Sequence, residues 1–97
     1  KQIEKISYET YLQRITKKED IILLDVRRVE GMKKTLTGAT LFTLDKIEDH
    51  IEEYFPDKSQ SFVIYCRSGI RSVYAIHIMQ RLGYKELYDL GGIISIP

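Results

Sequence analysis

The segment "SFVIYCRSGIRS" (61–72) holds the only cysteine of the chain, Cys66, at the end of an apolar, β-prone run. Arg67, Ser68, Gly69, Ile70, Arg71 and Ser72 follow it directly. A short strand-to-helix turn aims several backbone N–H groups at one spot, and the start of the helix adds partial positive charge. Two arginines add full charges nearby. All of these favour thiolate over thiol, and the thiolate is the nucleophilic form. Gly69 permits positive φ and leaves room for a substrate to approach the backbone. Ser68 and Ser72 carry hydroxyl donors suited to an anion, and Ser72 is also placed to cap the next helix. A cysteine taken alone is more often an inert core residue. An inert thiol, however, has no use for two arginines and a glycine in the next five positions.

Other chemistries find little support. A single cysteine rules out a disulfide within the chain, a CxxC redox pair and a cysteine-rich zinc site. His50 sits among Glu48, Asp49, Glu52 and Glu53, and His77 shares a helical stripe with Tyr74 and Arg81. Both read as surface histidines, with no metal-ligand spacing between them, and neither a metal nor an organic cofactor is expected. Fifteen basic and 14 acidic residues leave a net charge of +1, no basis for binding nucleic acid or an anionic membrane. The pairs Lys17-Lys18 and Lys33-Lys34 read as solvated surface. No apolar run approaches membrane-spanning length and no signal-peptide pattern is visible. Cytoplasm is therefore the default expectation, although the chain starts at Lys1 and a removed leader stays open.

Ninety-seven residues, 43% of them hydrophobic, suit one folded domain over 1–97. Ser7 reads as the N-cap of a helix running to about Thr16, with Tyr8, Tyr11, Leu12 and Ile15 as its buried stripe. "IILLDV" (21–26) and "SFVIYC" (61–66) read as strands buried on both faces. Residues 27–38 read as a loop, and "ATLFTL" (39–44) as a short strand. A helix over 45–55 carries Ile47, Ile51, Tyr54 and Phe55 on one face, and Pro56 ends it. A helix from Ser72 to Leu82 buries Ala75, Ile78, Met79 and Leu82 and stops at Gly83. "ELYDL" (86–90) completes the core strands. Alternating strands and helices imply an α/β domain with a mainly parallel central sheet. Function in such sheets gathers beyond the carboxyl ends of the strands, here in the loops after "LLDV" and "VIYC".

These residues resemble the rhodanese-like family of single-domain sulfurtransferases. "CRSGIRS" is similar to that family's active-site loop, and "LLDVR" (23–27) to its aspartate-arginine motif. "LTGATLFTL" (36–44) looks like a degenerate form of its glycine-alanine segment, and "LGYKELYDLGGI" (82–93) like its closing stretch. The resemblance spans about Ser7 to Ile96. It implies a parallel sheet of about five strands with helices on both faces. It also implies that Cys66 attacks the sulfane sulfur of an anionic donor, thiosulfate or a polysulfide, and carries it as a persulfide to a thiophilic acceptor. Cyanide, a thiol or a protein would serve as acceptor. The loop 67–72 would bind substrate, with Arg67 drawing the donor from the rim. Arg71 either does the same or turns inward onto an acid such as Glu30. Asp25 would organise the site from behind, with Arg27 at the pocket edge. The chain departs from the family in "KTLTGA" (34–39), where Thr35 stands at a common histidine position, and at Ile96, where tryptophan is frequent.

Two rival readings accompany this one. Cysteine phosphatases and arsenate reductases also use a cysteine-arginine loop, but with one more residue between the two. Here Cys66 and Arg71 enclose Arg67, Ser68, Gly69 and Ile70, and Ser72 stands where such an enzyme needs its arginine. A non-catalytic rhodanese-like binding or regulatory module is the other rival. Such modules usually lack the cysteine.

Overall fold

A computed structural model describes residues 2–28 and 35–95. The elements, in chain order, are β1 (Glu4–Lys5), α1 (Tyr8–Thr16), β2 (Ile21–Asp25), β3 (Thr40–Leu41), α2 (Leu44–Tyr54), β4 (Ser61–Cys66), α3 (Ile70–Arg81) and β5 (Glu86–Gly92). A 3-10 turn, Ile93–Ser95, follows. The five strands form one parallel sheet in the order β1-β5-β4-β2-β3.

Side chains alternate across a strand, so β4 splits its residues between two cores. Phe62, Ile64 and Cys66 join Leu24, Val26, Ile47, Ile51, Ala75, Ile76 and Met79 on the face covered by α2 and α3. Val63 and Tyr65 join Ile6, Tyr11, Leu23 and Leu36 on the face covered by α1. Full burial of each large apolar side chain contributes about 1.5–3 kcal/mol, which explains why the uninterrupted apolar runs become the central strands. A ladder of edge-on rings ties the elements of the first face together. Phe55 meets Phe62 at 5.3 Å between centroids, and Phe62 meets Tyr84 at 5.5 Å.

Several local expectations change. Ser7 caps α1 as expected, its Oγ accepting from the Thr10 N–H at 3.0 Å. Of the proposed stripe, though, Tyr11 is buried while Leu12 and Ile15 are exposed. The ring of Tyr8, stacked 6.2 Å from Tyr11, widens the contact toward the N-terminal end instead. On α2, Ile47 and Ile51 are buried, but Tyr54 is exposed and meets Phe42 only along one edge. On α3, Ile76 takes the core place expected for Ile78 and Leu82, which are half-buried. The strand expected over 39–44 is only Thr40–Leu41. β1 has no apolar signal in the sequence and exists through its pairing of Glu4 and Lys5 with Tyr88 and Asp89.

Candidate functional site

β4 delivers Cys66 to the carboxyl edge of the sheet, and three residues turn the chain into α3. Gly69 sits at φ 98°, a left-handed conformation that side chains disfavour, and supplies the N-cap of α3 without a side chain. This turn aims the backbone inward. The Gly69 N–H donates to Cys66 Sγ at 2.9 Å, and the Ser72 N–H donates to the same sulfur at 3.4 Å. Because α3 begins at Ile70, Ser72 lies within its first turn and is not its cap. Its hydroxyl donates to the Gly69 carbonyl at 3.1 Å and fastens the loop to itself. Cys66 and Ser72 are buried, Arg67, Ser68 and Ile70 are exposed, and Gly69 and Arg71 are half-buried.

The end of β5 forms the floor of this loop. Between Ile64 and Tyr65 the β4–β5 register slips, so that Tyr65 pairs with Gly91 and Cys66 with Gly92. Asp89 Oδ1 accepts the Gly91 N–H at 2.8 Å, and Gly91 turns through φ 86°. A β-bulge of this kind re-aims a strand end. It brings Gly92 so near the loop that an added Cβ would lie 2.6 Å from the Arg67 carbonyl oxygen and from the Ser68 carbonyl carbon. The Ile94 N–H also donates to the Arg67 carbonyl, at 3.3 Å.

A polar group lies behind the thiol, on the opposite face. Tyr65, immediately before Cys66, points away from it and donates its hydroxyl to Asp25 Oδ2 at 2.9 Å. Arg27 donates to the same carboxylate from its backbone N–H (3.0 Å), from Nε (2.9 Å to Oδ1) and from a terminal nitrogen (2.6 Å to Oδ2). The Leu36 N–H donates to the Tyr65 hydroxyl at 3.2 Å. Asp25, Arg27 and Tyr65 are all buried. The hydrogen bond to Asp25 raises the pKa of the Arg27 guanidinium. Burial, foremost, pushes Tyr65 up to about 12. Arg27 was expected at the pocket edge; its two-point bond to Asp25 draws it inside. Tyr65 bears no mark in the sequence beyond its place in the apolar strand "SFVIYC". A buried tyrosine needs a partner for its hydroxyl, and that requirement was the available signal. Glu30, the acid suggested for Arg71, lies outside the described residues.

Arg71 borders an open cleft of about 610 Å³, together with Val26, Arg28, Thr43, Leu44 and Lys46. Asp45 lines it too, and a hydrogen bond from Thr43 holds its carboxyl below the usual range, with Lys46 and Arg28 adding to the effect. Arg28, Thr43 and Lys46 escaped the sequence reading because a basic pair and a helix start look like plain surface. His50 is exposed and meets Glu53 at 2.8 Å, and His77 is exposed as well. Among the described residues there is no group of three or more histidine, cysteine or acidic side chains able to hold a metal ion, and no helix is long and apolar enough to cross a membrane.

A parallel α/β sheet with a thiol held by loop N–H groups at a strand's carboxyl end defines the class structurally. The chain belongs to the rhodanese-like domain family, whose model matches residues 7–95. It is similar to a sulfurtransferase of Allochromatium vinosum, 33% identical over 96% of this chain and 87% of that protein. It is also similar to the thiosulfate sulfurtransferase PspE of Escherichia coli, 30% identical over 75% of this chain and 71% of that one. Among solved structures, a rhodanese with anions from E. coli superposes with a TM-score of 0.69 at 28% identity, covering 78% of this chain and 91% of its own.

Proposed function

We propose that the 97 residues act as a single rhodanese-like domain that moves sulfane sulfur through a persulfide on Cys66. The observation that carries this reading is the pair of backbone N–H groups, from Gly69 and Ser72, converging on the Cys66 sulfur. Preorganised donors of this kind stabilise anionic sulfur without reorganising during the reaction. In the first half-reaction the Cys66 thiolate attacks the outer sulfur of thiosulfate. The sulfur–sulfur bond of the donor breaks, sulfite leaves with the electron pair, and a Cys66 persulfide anion remains. In the second, an acceptor nucleophile takes the outer sulfur and Cys66 departs as thiolate. This divides one difficult transfer into two easier ones.

Arg67, exposed at the rim, draws the anionic donor, and Arg71 serves the side of the loop that opens on the cleft. Ser68, Gly69, Ile70 and Ser72 shape the cradle around the transferred sulfur. Asp25 and Arg27 act from behind by fixing the ends of β2 and β4. The donor is a small anion, thiosulfate or a polysulfide. The acceptor is cyanide, a thiol or a protein thiol, and the setting is the cytoplasm, where thiols are kept reduced.

Intact mass after incubation with thiosulfate or polysulfide tests this. The expected result is a gain of one sulfur atom on the native chain, removed by cyanide and absent from Cys66→Ala. A native chain that gains no sulfur from either donor would refute the enzyme and leave a binding module.

A further inference from the structure

The cleft beside the cysteine loop is much larger than the small ions the proposed reaction needs. Thiosulfate has five heavy atoms and cyanide two, whereas about 610 Å³ lies within the range of pockets that hold whole organic ligands. Its described lining carries more positive than negative charge. Among the described residues its charged lining is Arg28, Lys46 and Arg71 against Asp45, and the positive end of the eleven-residue helix α2 lies at the same wall, where Thr43 makes no side-chain cap. The cleft also adjoins the chemistry: Arg71 belongs both to its wall and to the loop around Cys66, and Val26 follows the strand paired with β4.

We infer that Arg28 and Lys46 form a second anion subsite, which selects as sulfur acceptor a thiol carrying a carboxylate- or phosphate-bearing body. This deepens the persulfide reading and rests on it. The body sits in the cleft and the thiol reaches past Arg71 to the persulfide. The acceptor thiolate attacks the outer sulfur, the bond from that sulfur to Cys66 breaks, and its electron pair returns to Cys66. Asp45 opposes the anion, which gives the inference a sign that mere packing lacks. Removing the Asp45 charge strengthens the site, and removing Arg28 and Lys46 weakens it.

The test first loads Cys66 with thiosulfate and confirms the adduct by mass. Discharge is then timed with glutathione, coenzyme A and 2-mercaptoethanol at equal thiolate concentration. Expected is a preference of about tenfold in kcat/KM for one anionic thiol over the uncharged one, equivalent to about 1.4 kcal/mol. The carboxylate and phosphate arms tell the two bodies apart. Arg28→Ala with Lys46→Ala should erase the preference, Asp45→Asn should enlarge it, and added salt should shrink it. Equal discharge by all three thiols, or a preference untouched by the double variant, overturns the inference while the persulfide reading stands. If no adduct loads, the persulfide reading fails, and calorimetry with S-methylglutathione and S-methyl coenzyme A still decides the cleft. Binding of either that is lost in the double variant supports the subsite, and binding of neither overturns it.

Discussion

Replacing Gly92 with alanine tests whether the end of β5 sets the geometry of the cysteine loop. The new Cβ would stand 2.6 Å from the Arg67 carbonyl oxygen and the Ser68 carbonyl carbon, and 2.8 Å from the Ser68 Cα. These are backbone atoms and no flexible side-chain end can yield. Ordinary contact begins near 3.4 Å, so the loop must retreat by up to about 0.8 Å. The Gly69 N–H, now 2.9 Å from the Cys66 sulfur, retreats with it. Misplacement on the scale of 1 Å costs an active site about a hundredfold, and overpacking costs about 1–3 kcal/mol. Gly92→Ala should therefore form the persulfide roughly 10- to 100-fold more slowly and unfold at lower urea. Gly91→Ala is the matched control. Its φ of +86° makes alanine strained, but no atom lies within 4 Å of its Cβ. It should lose about 1–2 kcal/mol of stability while its folded molecules react at nearly the native rate. Rates come from time-resolved intact mass below both unfolding midpoints. A native rate in Gly92→Ala, or equal slowing in both variants, would refute the idea that β5 supports the loop.

The buried pair behind the thiol makes two more predictions. Asp25→Asn leaves the 5%-exposed Arg27 without its counter-charge, and should cost about 3–5 kcal/mol in urea unfolding. Arg27→Met added to it should recover part of that loss, and an unchanged midpoint for Asp25→Asn would contradict the pairing. Tyr65 governs alkaline stability. Its pKa is raised from 10.0 to about 12 in the folded chain, so its neutral form is favoured there. The contribution is complete below about pH 10 and is lost as pH rises toward 12, at up to about 1.4 kcal/mol per pH unit. Tyr65→Phe should unfold with a shallower loss of stability between pH 10 and 12 than the native chain. Parallel slopes would rule Tyr65 out.

Parts of this architecture were legible where burial speaks through composition. "IILLDV" and "SFVIYC" had to be central strands because water-exposed runs of that kind are rare, and the second ends at Cys66 as read. The thiol's loop was legible from its charges and glycine. The start of α3 was misplaced by two residues because Ser72 looked like a cap, whereas Gly69 caps through backbone conformation alone. β1 was invisible because Glu4 and Lys5 have no strand pattern and depend on a partner more than eighty residues away. The cationic cleft was illegible for a similar reason. Arg28 and Lys46 are far apart in sequence, and the pairing of β3 with β2 brings the start of α2 to the end of β2, where both line one cleft.

The place of Gly92 in the chain has a consequence for timing. The floor of the loop is synthesised 26 residues after the thiol it supports. A ribosome that has just passed Ser72 has made a strand with no neighbour on its β5 side and a loop with nothing beneath it. Domains complete their folding only when the last pairing strand emerges. Until Glu86–Gly92 docks, the sulfur lacks its ordered cradle, and a nascent chain is an ordinary thiol among many. If Cys66 carries sulfur as proposed, that chemistry is reserved for finished molecules.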